Sequence, residues 1–123
     1  MSNSSTVTAF VAAWNRKDLE AIMAAFGEDA VYHNIPMEPT KGKAAIRAYI
    51  EKALARYEAV DWTTHHQAES ADGTVLNERS DDFIFNGRRI SVPVMGVFEF
   101  RGGKISAWRD YFDLGQFQRQ LQG

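Results

Sequence analysis

The chain is predicted to fold as an α+β protein, its helices packed on a strongly curved, mixed but mainly antiparallel sheet that encloses a cavity. Three observations lead there. Helical periodicity occupies the first half of the sequence and strand-like segments the second, an order in which the sheet must bury one face against the helices. The strand-like segments are joined by "ADG", "NG" and "RGG", which are turn signals of the hairpin kind. Strands this long need curvature to cover a small core, and Pro93 and Gly96 are the predicted bend sites.

Each element has its own justification. Val7, Phe10, Val11 and Trp14 recur at i, i+3, i+4, i+7 behind Ser and Thr residues that can cap free N–H groups, predicting a helix over 5–16. Leu19, Ile22, Met23 and Phe26 repeat the spacing in a short second helix, with Asp18 as its cap and Gly27 as its stop. "AVYHNI" reads as a strand ended by Pro36, and "PMEPTKGK" as an irregular, mobile rim. Ile46, Tyr49, Ile50, Leu54 and Tyr57 mark a third helix over 43–57, the longest of the chain. "VDWTTHHQAES", "GTVLNERSDDFIF", "RRISVPVMGVFEF" and "KISAWRDYFDL", rich in β-branched and aromatic residues, predict four successive antiparallel strands, and "QFQRQLQ" a short tail helix.

Composition narrows the function. At 123 residues and 45% apolar content, residues 1–123 suit one globular domain. Fourteen basic against 16 acidic residues give a net charge of -2, which offers no general attraction to nucleic acid or to an anionic membrane. No 18-residue apolar run and no basic leader occur, so a soluble cytoplasmic protein is expected. The absence of Cys removes thiol nucleophiles and thiolate metal sites. His65 and His66 are adjacent on a strand and so point apart, and His33 lies behind Tyr32 and Asn34, so no three-ligand metal set is expected. No G-x-S-x-G-like nucleophile elbow is present either.

Side chains two apart on a strand share a face, and this singles out a polar group. Trp108, Asp110 and Phe112 share one face of the last strand, with Arg109, Tyr111 and Asp113 on the other. Asn77, Arg79, Asp81, Phe83 and Phe85 line up in the same way, with Glu78, Ser80 and Asp82 opposite; Tyr32 and Asn34 share a face of the first strand. These are either solvated faces and edge ion pairs or inward polar groups among aromatics. In the second case two Asp around one Arg would be driven to different protonation states, giving a base (Asp110) and an acid (Asp81) from identical side chains with Arg79 between them. Tyr32 and Asn34 then supply a hydroxyl and an amide able to hold a water. Water addition suits such a set.

The segments "VYHNIP", "NERSD" and "VMGVFEFRGGKISAWRDYFDL" resemble the limonene-1,2-epoxide hydrolases, within the NTF2-like (SnoaL-like) superfamily of cone-shaped folds. The likeness runs from the first helix to the tail, with Y-x-N, R-x-D and W-R-D-Y-F-D in the same order. It implies an Asp–Arg–Asp triad at Asp110, Arg79 and Asp81, and water-holding residues at Tyr32 and Asn34. It also implies a cofactor-independent reaction of water with a small apolar epoxide, and a homodimer, for which the sheet face carrying Val97, Arg109 and Tyr111 is the predicted surface. Ile35, Met37, Phe83, Val92, Val94, Trp108, Phe112, Leu114 and Phe117 are predicted to line the pocket from their facing and their proximity to the motifs.

Two other readings remain on the same fold. A ketosteroid-isomerase-like or polyketide-cyclase-like enzyme would move a proton beside a carbonyl with a carboxylate and an oxyanion hole of Tyr and neutral Asp. A ligand-binding module would use the polar cluster only as a structural network. Arg79 between the carboxylates and Asn34 beside Tyr32 point instead to a held water.

Overall fold

A computed structural model describes residues 2–123. In chain order the elements are α1 (Asn3–Asn15), α2 (Leu19–Ala24), β1 (Phe26–Asn34), β2 (Thr40–Lys41), α3 (Lys43–Arg56), β3 (Ala59–Glu69), β4 (Val75–Phe85), β5 (Arg88–Arg101), β6 (Lys104–Tyr111) and α4 (Leu114–Gln122). The strands form one open six-stranded sheet in the order β2-β1-β6-β5-β4-β3. Neighbours from β3 to β6 are antiparallel, as their hairpin turns require, and β1 lies parallel to β6, which makes the sheet mixed. The β4–β5 turn places Asn86 and Gly87 at positive φ (51° and 74°), the left-handed pair that an Asn-Gly hairpin turn favours.

Local chemistry sets the helix ends. The Ser2 hydroxyl accepts from the Ser5 backbone N–H at the start of α1, and Asp18 accepts from Ala21 N–H at the start of α2. The second helix stops at Ala24, so Phe26 leaves the helical stripe assigned to it by periodicity and opens β1 opposite Ile105. There its ring meets those of Phe10 and Trp108, and sheet pairing overrides helical spacing. The loop expected over 36–43 contains the two-residue strand β2, paired with Val31 and Tyr32. The last strand ends at Tyr111, three residues short of its predicted end, because Asp113 accepts from Gln116 N–H and starts α4.

Register irregularities lie at Phe26/Val31, Thr64/His66 and Glu99/Phe100. Pro93 and Gly96, the predicted bend sites, pair with Ser80 and Asn77 in unbroken register. Gly96 has a different reason for being glycine, which lies in the site itself.

Two apolar clusters flank that site. One joins α1, α2 and α3 to the sheet through Phe10, Trp14, Ile22, Phe26, Ile46, Ile50, Phe98 and Trp108 among others. The second, Phe83, Ile90, Val92 and Val94, packs with Phe112, Phe117 and Leu121 of the α4 region. Arg88 fastens α4 by donating to the carbonyls of Gln120 and Leu121, while the Gln120 side chain bridges the backbone N–H and C=O of Ser91. Among the described residues no helix is long and apolar enough to cross a membrane.

Candidate active site

Where the two clusters meet, a cavity of about 110 Å³ is walled by Trp14, Tyr32, Asn34, Met37, Tyr49, Ala53, Tyr57, Trp62, Asp81, Phe83, Val92, Val94, Asp110, Phe112 and Phe117. Most of this wall is aromatic or aliphatic, and Asp81, Asp110, Asn34 and the tyrosine hydroxyls are its polar groups. Such a composition suits an apolar ligand oriented by a few fixed polar contacts.

Strand alternation aims the polar set. Arg79 and Asp81 share the inner face of β4, and Asp110 lies on the inner face of β6; all three are buried. Arg79 grips Asp81 with both arms of its fork, Nε to Oδ1 and Nη2 to Oδ2 at 2.9 Å each, and reaches Asp110 Oδ2 with Nη2 at 2.8 Å. The other Asp110 oxygen, Oδ1, accepts from the indole Nε1 of Trp108 at 2.8 Å. Each carboxylate oxygen therefore has one protein donor and keeps a second lone-pair direction for a water or a proton. The guanidinium also lies against the rings of Trp62 and Phe98, 5.1 and 6.0 Å from their centroids.

Two buried carboxylates around one cation cannot both be cheaply ionised. Burial raises the Asp81 pKa to about 6 against the pull of Arg79, with repulsion from Asp110 and Asp82 adding to the rise. Burial likewise raises Asp110, opposed by Arg79 and by the Trp108 N–H. The repulsion between the two carboxylates is mutual, and Asp81 also feels the charge of Asp82. Ionisation of both carboxyls at once is thereby disfavoured, and the two titrate as a pair rather than singly. Burial also works against the Arg79 cation, but Asp110 and Asp81 outweigh it and hold its pKa above the ordinary value.

The other two predicted residues stand beside Asp110. Parallel pairing puts Asn34 opposite Asp110 and Tyr32 opposite Trp108. Asn34 Nδ2 donates to the hydroxyls of Tyr32 and Tyr49, each at 3.2 Å, which leaves its carbonyl oxygen free. Burial, reinforced by the Asp110 charge, raises the Tyr32 pKa well above its ordinary value, so the phenol stays protonated and able to donate.

The pocket differs from its predicted lining at three positions. Trp108 is fully buried one layer deeper, its ring stacked against Tyr32 at 4.1 Å and Phe98 at 5.5 Å. Ile35 follows the end of β1 with parity opposite to Tyr32 and Asn34, and Leu114 is spent opening α4; neither reaches the cavity. Met37, Phe83, Val92, Val94, Phe112 and Phe117 do line it. Trp14, Tyr49, Ala53, Tyr57 and Trp62 were not foreseen. The signal for two of them is the spacing Tyr49, Ala53, which is i, i+4 on one side of α3 beside the buried Ile46, Ile50, Leu54 stripe, with Tyr57 following just past the helix end. Asp82 keeps to the outer face with Arg89 and Ser91, as alternation requires. His65 and His66 are exposed, and His33 pairs with the Met37 carbonyl.

Fold and site together describe a cavity enzyme of the NTF2-like class, and comparison with known proteins is specific within it. Residues 1–122 match the limonene-1,2-epoxide hydrolase catalytic domain. "Epoxide hydrolase EphG" of Mycobacterium tuberculosis is 34% identical over 119 residues, covering 95% of this chain and 78% of that protein. A solved LEH-like epoxide hydrolase of M. tuberculosis superposes with a TM-score of 0.86 at 30% identity, over 98% of this chain and 89% of that one. A SnoaL-like polyketide cyclase structure from Shewanella denitrificans gives 0.87 at only 14% identity, over 98% and 96%, and speaks for the fold alone. The chain belongs to the limonene-1,2-epoxide hydrolase family and is an enzyme of the hydrolase class.

Proposed function

We propose that this enzyme adds water to a small apolar epoxide, cyclic or terpene-like, and releases a vicinal diol in one step without a covalent intermediate. The observation that carries the reading is the buried Asp81–Arg79–Asp110 bridge at the cavity wall, with Asn34 opposite Asp110. A water between them donates one hydrogen to Asp110 and the other to the free Asn34 oxygen, and accepts from the Tyr32 hydroxyl. One lone pair remains for attack.

Asp110 takes a proton as the water oxygen bonds to an epoxide carbon, the ring C–O bond breaks, and its oxygen takes the proton of Asp81. Arg79 holds both carboxylates throughout, and a proton returns from Asp110 to Asp81 before the next turnover. General base and general acid contribute on the order of a hundred- to ten-thousand-fold each. No step calls on a cofactor. We also propose a homodimer through the outer sheet face, where Leu76, Met95 and Tyr111 are exposed.

The test is diol formation from limonene-1,2-epoxide and cyclohexene oxide by chelator-treated protein, with Asp110→Asn beside it. Diol from the wild type and none from the folded variant is expected. Isomerisation of an enone without diol from either epoxide would replace the reading with proton-transfer chemistry.

A further inference from the structure

One row of residues crosses five strands. Register pairs Asn34 with Asp110, Asp110 with Gly96, Gly96 with Asn77, and Asn77 with Gln67. Gly96 is the gap in this polar row, and the Arg79 guanidinium fills it. A Cβ there would overlap Arg79 Nη1 and stand 2.7 Å from Asn77 Oδ1 and 2.9 Å from Asp110 Oδ1.

Asn77 is only 2% exposed and its side chain is committed in both directions. Its Oδ1 accepts from Arg79 Nη1 at 2.8 Å, and its Nδ2 donates to Gln67 Oε1 at 3.3 Å. Gln67 in turn donates to the Ser4 carbonyl and hydroxyl and to Thr8 Oγ1. The triad is thereby tied to the first turns of α1. Without Asn77, Nη1 would be a buried donor free to turn toward Asp110, and the division of the fork between the carboxylates would be lost.

We propose that Asn77 is a positioning residue for the acid–base pair: its uncharged oxygen holds Nη1, so that the fork stays on Asp81 and a single N–H serves Asp110, while no third negative charge enters the cluster. A carboxylate could hold Nη1 equally well by geometry. It would share the one cation among three anions and make both aspartates harder to ionise. The other titratable groups facing the cluster are Tyr32 from β1, Tyr49 from α3 and Tyr57 just after it, while Asp82 adds its charge from the outer face of β4. Glu69 lies further out, where it accepts from the Ser4 backbone N–H. None of these offers a second cation, so the added charge would stay uncompensated.

This inference rests on the hydrolytic reading, so its test carries a readout that does not depend on turnover. Asn77→Asp and Asn77→Ala are made in the full chain. The Asp81 and Asp110 carboxyl titrations are followed by carbon NMR, alongside the pH profile of diol formation and the unfolding midpoint. Asn77→Asp is expected to move the carboxyl titrations and the acid limb of the profile upward by about one pH unit. Asn77→Ala is expected to lower kcat about tenfold with KM within about twofold, because the defect lies in orientation rather than binding. Folded variants whose carboxyl titrations coincide with those of the wild type, or an Asn77→Asp that merely lowers the unfolding midpoint, would overturn the proposal. Shifted titrations in a protein that makes no diol would uphold Asn77 and discard the hydrolytic reading; if neither variant folds, Gln67→Leu, which frees the Asn77 amide, must shift the same titrations or the proposal fails.

Discussion

In the mechanism proposed above, raising the pH from 6 to 8 removes the proton that Asp81 gives to the epoxide oxygen. The competent form of the site holds one proton between two carboxylates, on Asp81, with Asp110 ionised to take another from water. Burial places the Asp81 pKa at about 6. Each pH unit above that leaves about a tenth of the preceding competent fraction, so kcat/KM at pH 8 is expected near one hundredth of its plateau. On the acid side the rate falls as Asp110 takes a second proton, and the profile is a bell. The same shift acts on stability. A folded value of about 6 against an ordinary 3.8 means that the folded state binds more protons than the unfolded state between those limits. Stability from this group is therefore lost as the pH rises through about 4 to 6, by about 3 kcal/mol, and stays lost above. Exposed Glu20 and Asp72, whose pKa values are lowered, act in the opposite sense, so the comparison is with Asp81→Asn rather than with pH alone. Urea denaturation at pH 4, 5, 6 and 7 reads the stability difference, and initial rates in constant-ionic-strength buffers read the profile. A rate that is flat or rising between pH 6 and 8, with a wild-type stability advantage independent of pH, would refute the assignment of Asp81 as the acid.

Gly96→Ala forces a methyl group against Arg79, Asn77 and Asp110, and is expected to cost about 3 kcal/mol or more with most of the activity, read by calorimetry and initial rates; a variant as stable as the wild type would contradict the packing described. Trp108→Phe keeps most of the ring stack but removes the N–H from Asp110 Oδ1. The acid limb should move up by about one pH unit with a stability loss of about 2 kcal/mol, since a hydrogen bond to a charged group is lost. Arg88→Ala releases the last turn of α4 and loosens the Phe117 wall, so KM is expected to rise more than kcat falls, at a cost of about 1 kcal/mol.

Alternation along β4 and β6 made the inner-facing set of Asn77, Arg79, Asp81 and Asp110 legible, because a strand's period of two survives any curvature of the sheet. The hairpin turns likewise gave the antiparallel order of β3 to β6. Depth was not legible: Trp108 and Asp110 share a face, yet Tyr32 covers the indole while Asp110 reaches the cavity. Nor did α3 separate its buried Ile46, Ile50, Leu54 stripe from the half-open side that carries Tyr49 and Ala53, since apolar residues at helical spacing read as core whether they meet another helix or a cavity. Gly96 read as a bend because a glycine in a strand has several uses, and only the guanidinium lying over it distinguishes them. Phe26 was lost to a helix for a similar reason, since its spacing fits α2 while its pairing with Ile105 depends on a strand some 80 residues away.

The central claim is that Asp110 activates a water which itself attacks the epoxide. Both Asp110 oxygens already accept a protein N–H, an arrangement suited to a held base. A single-turnover reaction in oxygen-18 water, with enzyme in excess over epoxide, tests this directly. Diol carrying the heavy oxygen in its first turnover is the expected result. Unlabelled first-turnover diol, with the label instead in an aspartate carboxyl group, would mean that the carboxylate itself attacks, and would contradict the account.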